Sequence, residues 1–209
     1  MDLKIYDEIK KLADSCAEEL KTQVDTRIEE MKDDDNSHYL IYRVLGVSNS
    51  EGKLIDVYQN KGRFLYKYAG SFLEQASFIC IKNKYPNAKK VKIPNTSSSR
   101  PKTYEIDCLV ENYAHEIKWR DATTDGDHIT KEHTRVKTIK EKGYVPIRVM
   151  FYYPQREQAR KIQETLETLY KGIDGKYYYG DAAWVYIKDF SGIDLLEILE
   201  KIAESRGLK

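Results

Sequence analysis

Cysteine is scarce in this chain, with three among 209 residues. Cys16, Cys80 and Cys108 are odd in number and far apart, which excludes a disulfide framework and a clustered-cysteine metal site; reduced thiols in a cytoplasm are the expectation. Long apolar runs are absent, and nothing approaches the roughly 20 residues that span a bilayer. The first residues, MDLKIYDEIKK, carry charges where a secretory signal needs an apolar core. The sequence also lacks a glycine-rich phosphate loop, a dinucleotide fingerprint, a nucleophile elbow and any internal repeat, so no nucleotide cofactor is expected. An excess of charge of one sign is missing too: the formal net charge is +1.

What is present is ordinary for a globular protein, 41% hydrophobic and 33% charged residues. The length suits a single domain over residues 1–209. It divides into an N-terminal helical element (1–60), a core (61–160) and a C-terminal helix-loop-strand-helix (161–209). The charge is unevenly spread. Residues 1–37 hold 12 acids and 6 bases, whereas residues 82–102 hold seven bases (Lys82, Lys84, Lys89, Lys90, Lys92, Arg100, Lys102) and no acid. Such a basic stretch can hold a polyanion, and a solvated lysine surface explains it equally well.

Apolar residues recur at helical spacing over residues 2–31, and Asp33-Asp34-Asp35-Asn36-Ser37 breaks the pattern. A short helix is expected from His38 to Val47, a turn over Ser48–Gly52, another short helix from Leu54 to Lys61, and a stronger one from Arg63 to Lys84. Val91–Pro94 reads as an edge strand, where proline is tolerated. Further on, a helix is expected from His128 to Lys142, stopped by Gly143, with Ile129, Val136 and Ile139 inward and Lys131, Arg135, Lys137 and Lys140 on the polar side. Asp125, Gly126 and Asp127 read as turn and cap chemistry before it. A buried strand (Val145–Tyr153) follows, then a helix opened by Pro154, a loop over Gly172–Asp181, a strand over Trp184–Ile187 and a helix from Ile193 to Ala203.

The densest chemistry lies in Tyr104–Trp119, YEIDCLVENYAHEIKW. Tyr104, Ile106, Cys108 and Val110 alternate with Glu105, Asp107 and Leu109, the period-2 pattern of a half-buried strand. If Glu111 and Asn112 form a two-residue hairpin loop, residues whose numbers sum to 223 face each other. Asp107 then opposes Glu116, and Glu105 opposes Lys118. Opposed Cβ atoms lie roughly 4.5–5.5 Å apart, so the two carboxylates repel unless a cation sits between them. A hard divalent ion and the lysine on the same face resolve that conflict. The alternative is an amphipathic hairpin with a solvated polar face and Lys118 paired to Glu105.

Two acids and a lysine in this order, Ile106-Asp107 and, after eight residues, Glu116-Ile117-Lys118, resemble the PD-(D/E)XK nuclease pattern, with isoleucine where the pattern's name has proline. The stretch EIKWRDATTDGDHIT is further similar to ApaLI-like type II restriction endonucleases. The resemblance implies an α/β fold with a restriction-endonuclease-like core, a central mixed sheet flanked by helices. It implies hydrolysis of double-stranded DNA with Mg2+ (Mn2+ as substitute), held by Asp107, Glu116, the Ile117 carbonyl and Glu74. Lys118 would serve as the catalytic lysine, Glu74 as the helix-borne acid, and the enzyme as a homodimer. Arg100 and Lys102, in the polar loop before the first strand, and Arg120, Thr123, Thr124, Asp127, His128, Lys131 and Arg135 after the second are the candidate DNA contacts. A structure-selective repair or junction nuclease of the same core and a non-catalytic DNA-binding or assembly module are the other readings.

Overall fold

The computed structural model describes residues 2–96, 100–120 and 127–207, Asp127 by its backbone alone. The expectations for Thr123, Thr124, Asp125 and Gly126 and for the middle of the 95–101 loop fall outside the described residues. The chain divides into two compact units, residues 11–72 on one side and residues 1–10 with 73–209 on the other.

The helical unit is built from the part of α1 (Leu3–Glu30) after residue 10, α2 (Tyr39–Val44) and the first part of α3 (Asn49–Lys84). Here the sequence expectation is corrected. The Ser48–Gly52 cluster is no turn between two helices, because Ser48 Oγ accepts the Glu51 N–H at 3.2 Å and caps one continuous helix of 36 residues. Gly52 lies inside that helix where Tyr42 crosses it; a Cβ there would come within 2.5 Å of the ring. Asp56 ties the unit together by accepting the Tyr42 hydroxyl at 2.9 Å and by pairing with His38 Nε2 at 3.1 Å.

The larger unit is an α/β fold around a mixed five-stranded sheet in the order β1 (Lys89–Pro94), β2 (Thr103–Val110), β3 (Tyr113–Arg120), β4 (Val145–Tyr152), β5 (Lys176–Tyr179). β1, β2 and β3 pair antiparallel, and β4 and β5 are parallel additions. Pro94 ends an edge strand, as expected. α4 (Asp127–Glu141) connects β3 to its parallel neighbour, and Gly143 closes it with a left-handed φ of +81°. Val136 of α4 packs with Ile162, Leu166 and Tyr170 of α5 (Glu157–Gly172) and Tyr177 of β5.

The C-terminal quarter departs most from expectation. The loop expected over Gly172–Asp181 contains β5, and the strand expected over Trp184–Ile187 is helix α6 (Asp181–Ser191). Aromatic and β-branched residues favour strands locally, but Ala183, Ile187 and Ser191 form a buried i, i+4, i+8 stripe, and this helical face wins. Trp184 lands on Phe151 of β4, ring centroids 4.2 Å apart, and Tyr186 stacks on Tyr178 of β5. Gly175 sets the entry to β5: a Cβ there would lie 2.8 Å from the Pro146 carbonyl oxygen and 2.9 Å from that of Tyr170. α5 opens at Glu157 rather than at Pro154, and α7 (Leu195–Ser205) is capped by Asp194, which accepts the Glu197 N–H at 3.1 Å.

Candidate active site

β2 and β3 join through Glu111 and Asn112, and the pairs Val110–Tyr113, Leu109–Ala114 and Cys108–His115 all sum to 223. The tight turn is accommodated by Glu111, whose φ of 52° lies in the left-handed region. Past Cys108 the regular pattern ends. On the β1 side of the same strand, Lys89 pairs with Leu109 but Val91 pairs with Ile106, so β2 carries one extra residue there. This bulge puts Ile106 and Leu109 in one apolar cluster with Ile139 of α4. Strict alternation is therefore broken at Asp107. Its carboxylate takes the place of a ladder partner, with Oδ2 accepting the Ile117 N–H at 2.8 Å.

Asp107 is only 8% exposed, so its charge is expensive without partners. It has company of the same sign. Carboxylate oxygens of Asp107, Glu105 and Glu74 all lie within 4.8 Å of one another. Glu74 comes from α3, Glu105 and Asp107 from β2. Lys90 of β1 reaches into this group, its Nζ 2.6 Å from Glu74 Oε1 and 2.8 Å from Glu105 Oε1. Hydrogen bonding to Lys90 holds the Glu105 carboxyl below the usual carboxylate range, and Glu105 and Glu74 in turn raise the Lys90 ammonium. Lys92 stands 3.7 Å from the other Glu105 oxygen.

Glu116 is 3% exposed and belongs to a second, cationic group. Lys118 Nζ lies 2.5 Å from its Oε1, and the Arg135 guanidinium donates to its Oε2. Arg135 also donates to the Glu105 carbonyl oxygen at 2.5 Å, bridging α4 to both strands. Behind it, Glu132 accepts the Tyr170 hydroxyl at 2.6 Å and a guanidinium N–H of the fully buried Arg148 at 3.2 Å. Burial, more than any neighbouring charge, pulls the Arg135 guanidinium below its ordinary value. The helical pattern places Arg135 on the polar side of α4. It is instead turned inward, its side chain 14% exposed, because a buried carboxylate on the facing strand needs a counter-charge.

Asp107 and Glu74 thus lie together with Glu105, while Glu116 sits with Lys118 and Arg135. Glu105 does not pair with Lys118. Of the candidate DNA contacts, Arg100, Lys102, Arg120 and Lys131 are exposed and His128 is partly buried. Glu105 has a signal in the sequence, being two residues before Asp107 on a strand. Lys90 has none beyond its place in a basic stretch, since the pairing of β1 depends on the bulge.

The residues fit a hard cation: three carboxylates, with no cysteine or histidine among them, suit an oxygen-seeking divalent ion. The ApaLI-like restriction endonuclease family matches the chain over residues 1–204. The chain belongs to that family. No curated protein and no solved structure matches it. As a restriction endonuclease it has DNA as its partner. Among the described residues, no helix is long and apolar enough to cross a membrane.

Proposed function

We propose that this restriction endonuclease is a Mg2+-dependent type II enzyme that hydrolyses double-stranded DNA at a short sequence, with Asp107, Glu74 and Glu105 holding the ion. The observation that carries this reading is the carboxylate group gathered across α3 and β2, next to the Glu116–Lys118 pair. A divalent ion bound there polarises a phosphate and lowers the pKa of bound water.

The chain's own groups do the rest. Asp107 is fixed by the Ile117 N–H, which removes its freedom to turn away. Lys118, on a strand end and 37% exposed at its side chain, presents an ammonium to solvent, where it orients the attacking water and offsets charge on the phosphorus centre. Glu116 holds that ammonium in place, and the Arg135 guanidinium donates to its other oxygen and fixes it in turn. The resemblance also assigns Glu116 and the Ile117 carbonyl to the ion; with two cations already on Glu116, orienting Lys118 is the role its contacts support better. Arg100, Lys102, Arg120 and Lys131 are the phosphate contacts, which position DNA without reading it, and Thr123, Thr124, Asp127 and His128 are the adjoining candidates. Two protomers, one per strand, match a palindromic site. The setting is cytoplasmic, where the free cysteines stay reduced.

The test is incubation of purified protein with phage DNA and Mg2+, beside an Asp107→Ala variant and an EDTA control. Discrete fragments that disappear in both controls are expected. A smear would indicate a non-specific or structure-selective nuclease. Absence of cleavage with Mg2+ or Mn2+, with DNA binding intact in the variant, would leave a binding module.

A further inference from the structure

Three carboxylates within 4.8 Å of one another need a positive charge, and in this structure the charge is Lys90. Its ammonium is bonded to one oxygen of Glu74 and one of Glu105, two of the three groups assigned to the ion. An ammonium and a divalent cation cannot share those oxygens without strong mutual repulsion. The lysine has somewhere to go. Its side chain is 46% exposed, it hangs on four methylenes, and its strand is at the sheet edge, so leaving the cluster exposes it to water rather than burying it.

We propose that Lys90 is an internal competitor for the metal site: its ammonium occupies the Glu74–Glu105–Asp107 group in the ion-free protein and must be displaced before a divalent ion can bind. This rests on the reading of that group as the metal site. The competition has a protective side, because the acids remain neutralised and the local fold intact when no ion is present. It also sets the metal concentration at which the enzyme becomes loaded, since the apparent affinity is the intrinsic one scaled by the fraction of molecules whose cluster is vacated.

The experiment is titration calorimetry of the full-length protein with Mn2+ in the absence of DNA, on the wild type and on Lys90→Met, Lys90→Arg and Asp107→Asn. Thermal melts of each variant verify folding. Lys90→Met is expected to bind Mn2+ about tenfold more tightly than wild type, the change produced by removing a competitor that fills nine sites in ten. Lys90→Arg, which keeps a cation in place, is expected to remain near wild type, and Asp107→Asn to lose binding. Equal or weaker binding by folded Lys90→Met, with Asp107→Asn still abolishing it, would overturn the competitor while leaving the metal site standing. Binding unaffected by Asp107→Asn would overturn both.

Discussion

Asp107 Oδ2 accepts the backbone N–H of Ile117 across the β2–β3 hairpin, so one carboxylate both completes the sheet and joins the Glu74 and Glu105 carboxylates. The two duties separate by mutation. Asp107→Asn keeps an acceptor oxygen and loses the charge; it is expected to fold normally and to cleave DNA slower by a factor on the order of 10² or more. Asp107→Ala leaves a buried N–H unpaired and is expected to lose about 1–3 kcal/mol in addition. Urea melts beside a cleavage assay distinguish the two.

Lys118→Met tests the lysine's chemical role. The pair with Glu116 is partly exposed and Arg135 still neutralises the acid, so stability should change by no more than about 1 kcal/mol. Turnover is expected to fall roughly 10²–10³-fold. DNA affinity measured with Ca2+ should change little. A large loss of affinity with intact turnover would instead make Lys118 a phosphate contact.

Arg135→Met should be the most damaging of these changes to the fold. It leaves the buried Glu116 with only the partly exposed Lys118 and takes a donor from the Glu105 carbonyl oxygen, and breaking a buried ion pair costs about 3–5 kcal/mol. Adding Glu116→Gln removes the under-compensated buried charge, so the double variant is expected to be more stable than Arg135→Met by itself. A four-member cycle of urea melts measures that coupling.

His115 predicts an acid limit on stability. It lies fully buried on β3, Nδ1 against the Cys108 carbonyl oxygen at 3.0 Å and Nε2 2.7 Å from the Tyr186 hydroxyl. Burial pushes its pKa down from 6.5 to about 4. Between those values the unfolded chain takes up a proton that the folded chain refuses. The contribution is therefore complete above about 6.5 and is lost as pH falls toward about 4, with a ceiling of roughly 3 kcal/mol. Urea midpoints at pH 7.5 and pH 5 should differ in wild type, and the difference should shrink in His115→Asn.

The hairpin is legible in the sequence because a two-residue loop fixes register by arithmetic, and Cys108–His115 confirms the sum of 223. The helical period that ends at Tyr85-Pro86 makes the helix legible, but Glu74 is picked out on it only by the resemblance, which implies an acid on the helix before the strands. The acid group itself is only half legible. A bulge is invisible to period-2 reasoning, and it is the bulge that breaks alternation at Asp107. Arg135 escapes for a different reason: an amphipathic pattern says which apolar residues turn inward, not which polar one is drawn in by a carboxylate on another strand. At Trp184–Ile187 the difficulty is one of scale, since four residues of strand-like composition are outweighed by an eleven-residue helix packing Ala183, Ile187 and Ser191 inward.

The Glu111–Asn112 turn is also a constraint on descent. A change of identity there is tolerable so long as φ stays positive at Glu111; Glu111→Gly would even relieve the left-handed backbone. A change of length is another matter, because one added residue that slipped the pairing would turn each side chain of one strand to the opposite face. Among descendants of this chain, substitutions should therefore accumulate at the turn while single-residue insertions and deletions are purged from it, even though neither turn residue belongs to the Glu74–Glu105–Asp107 carboxylate group.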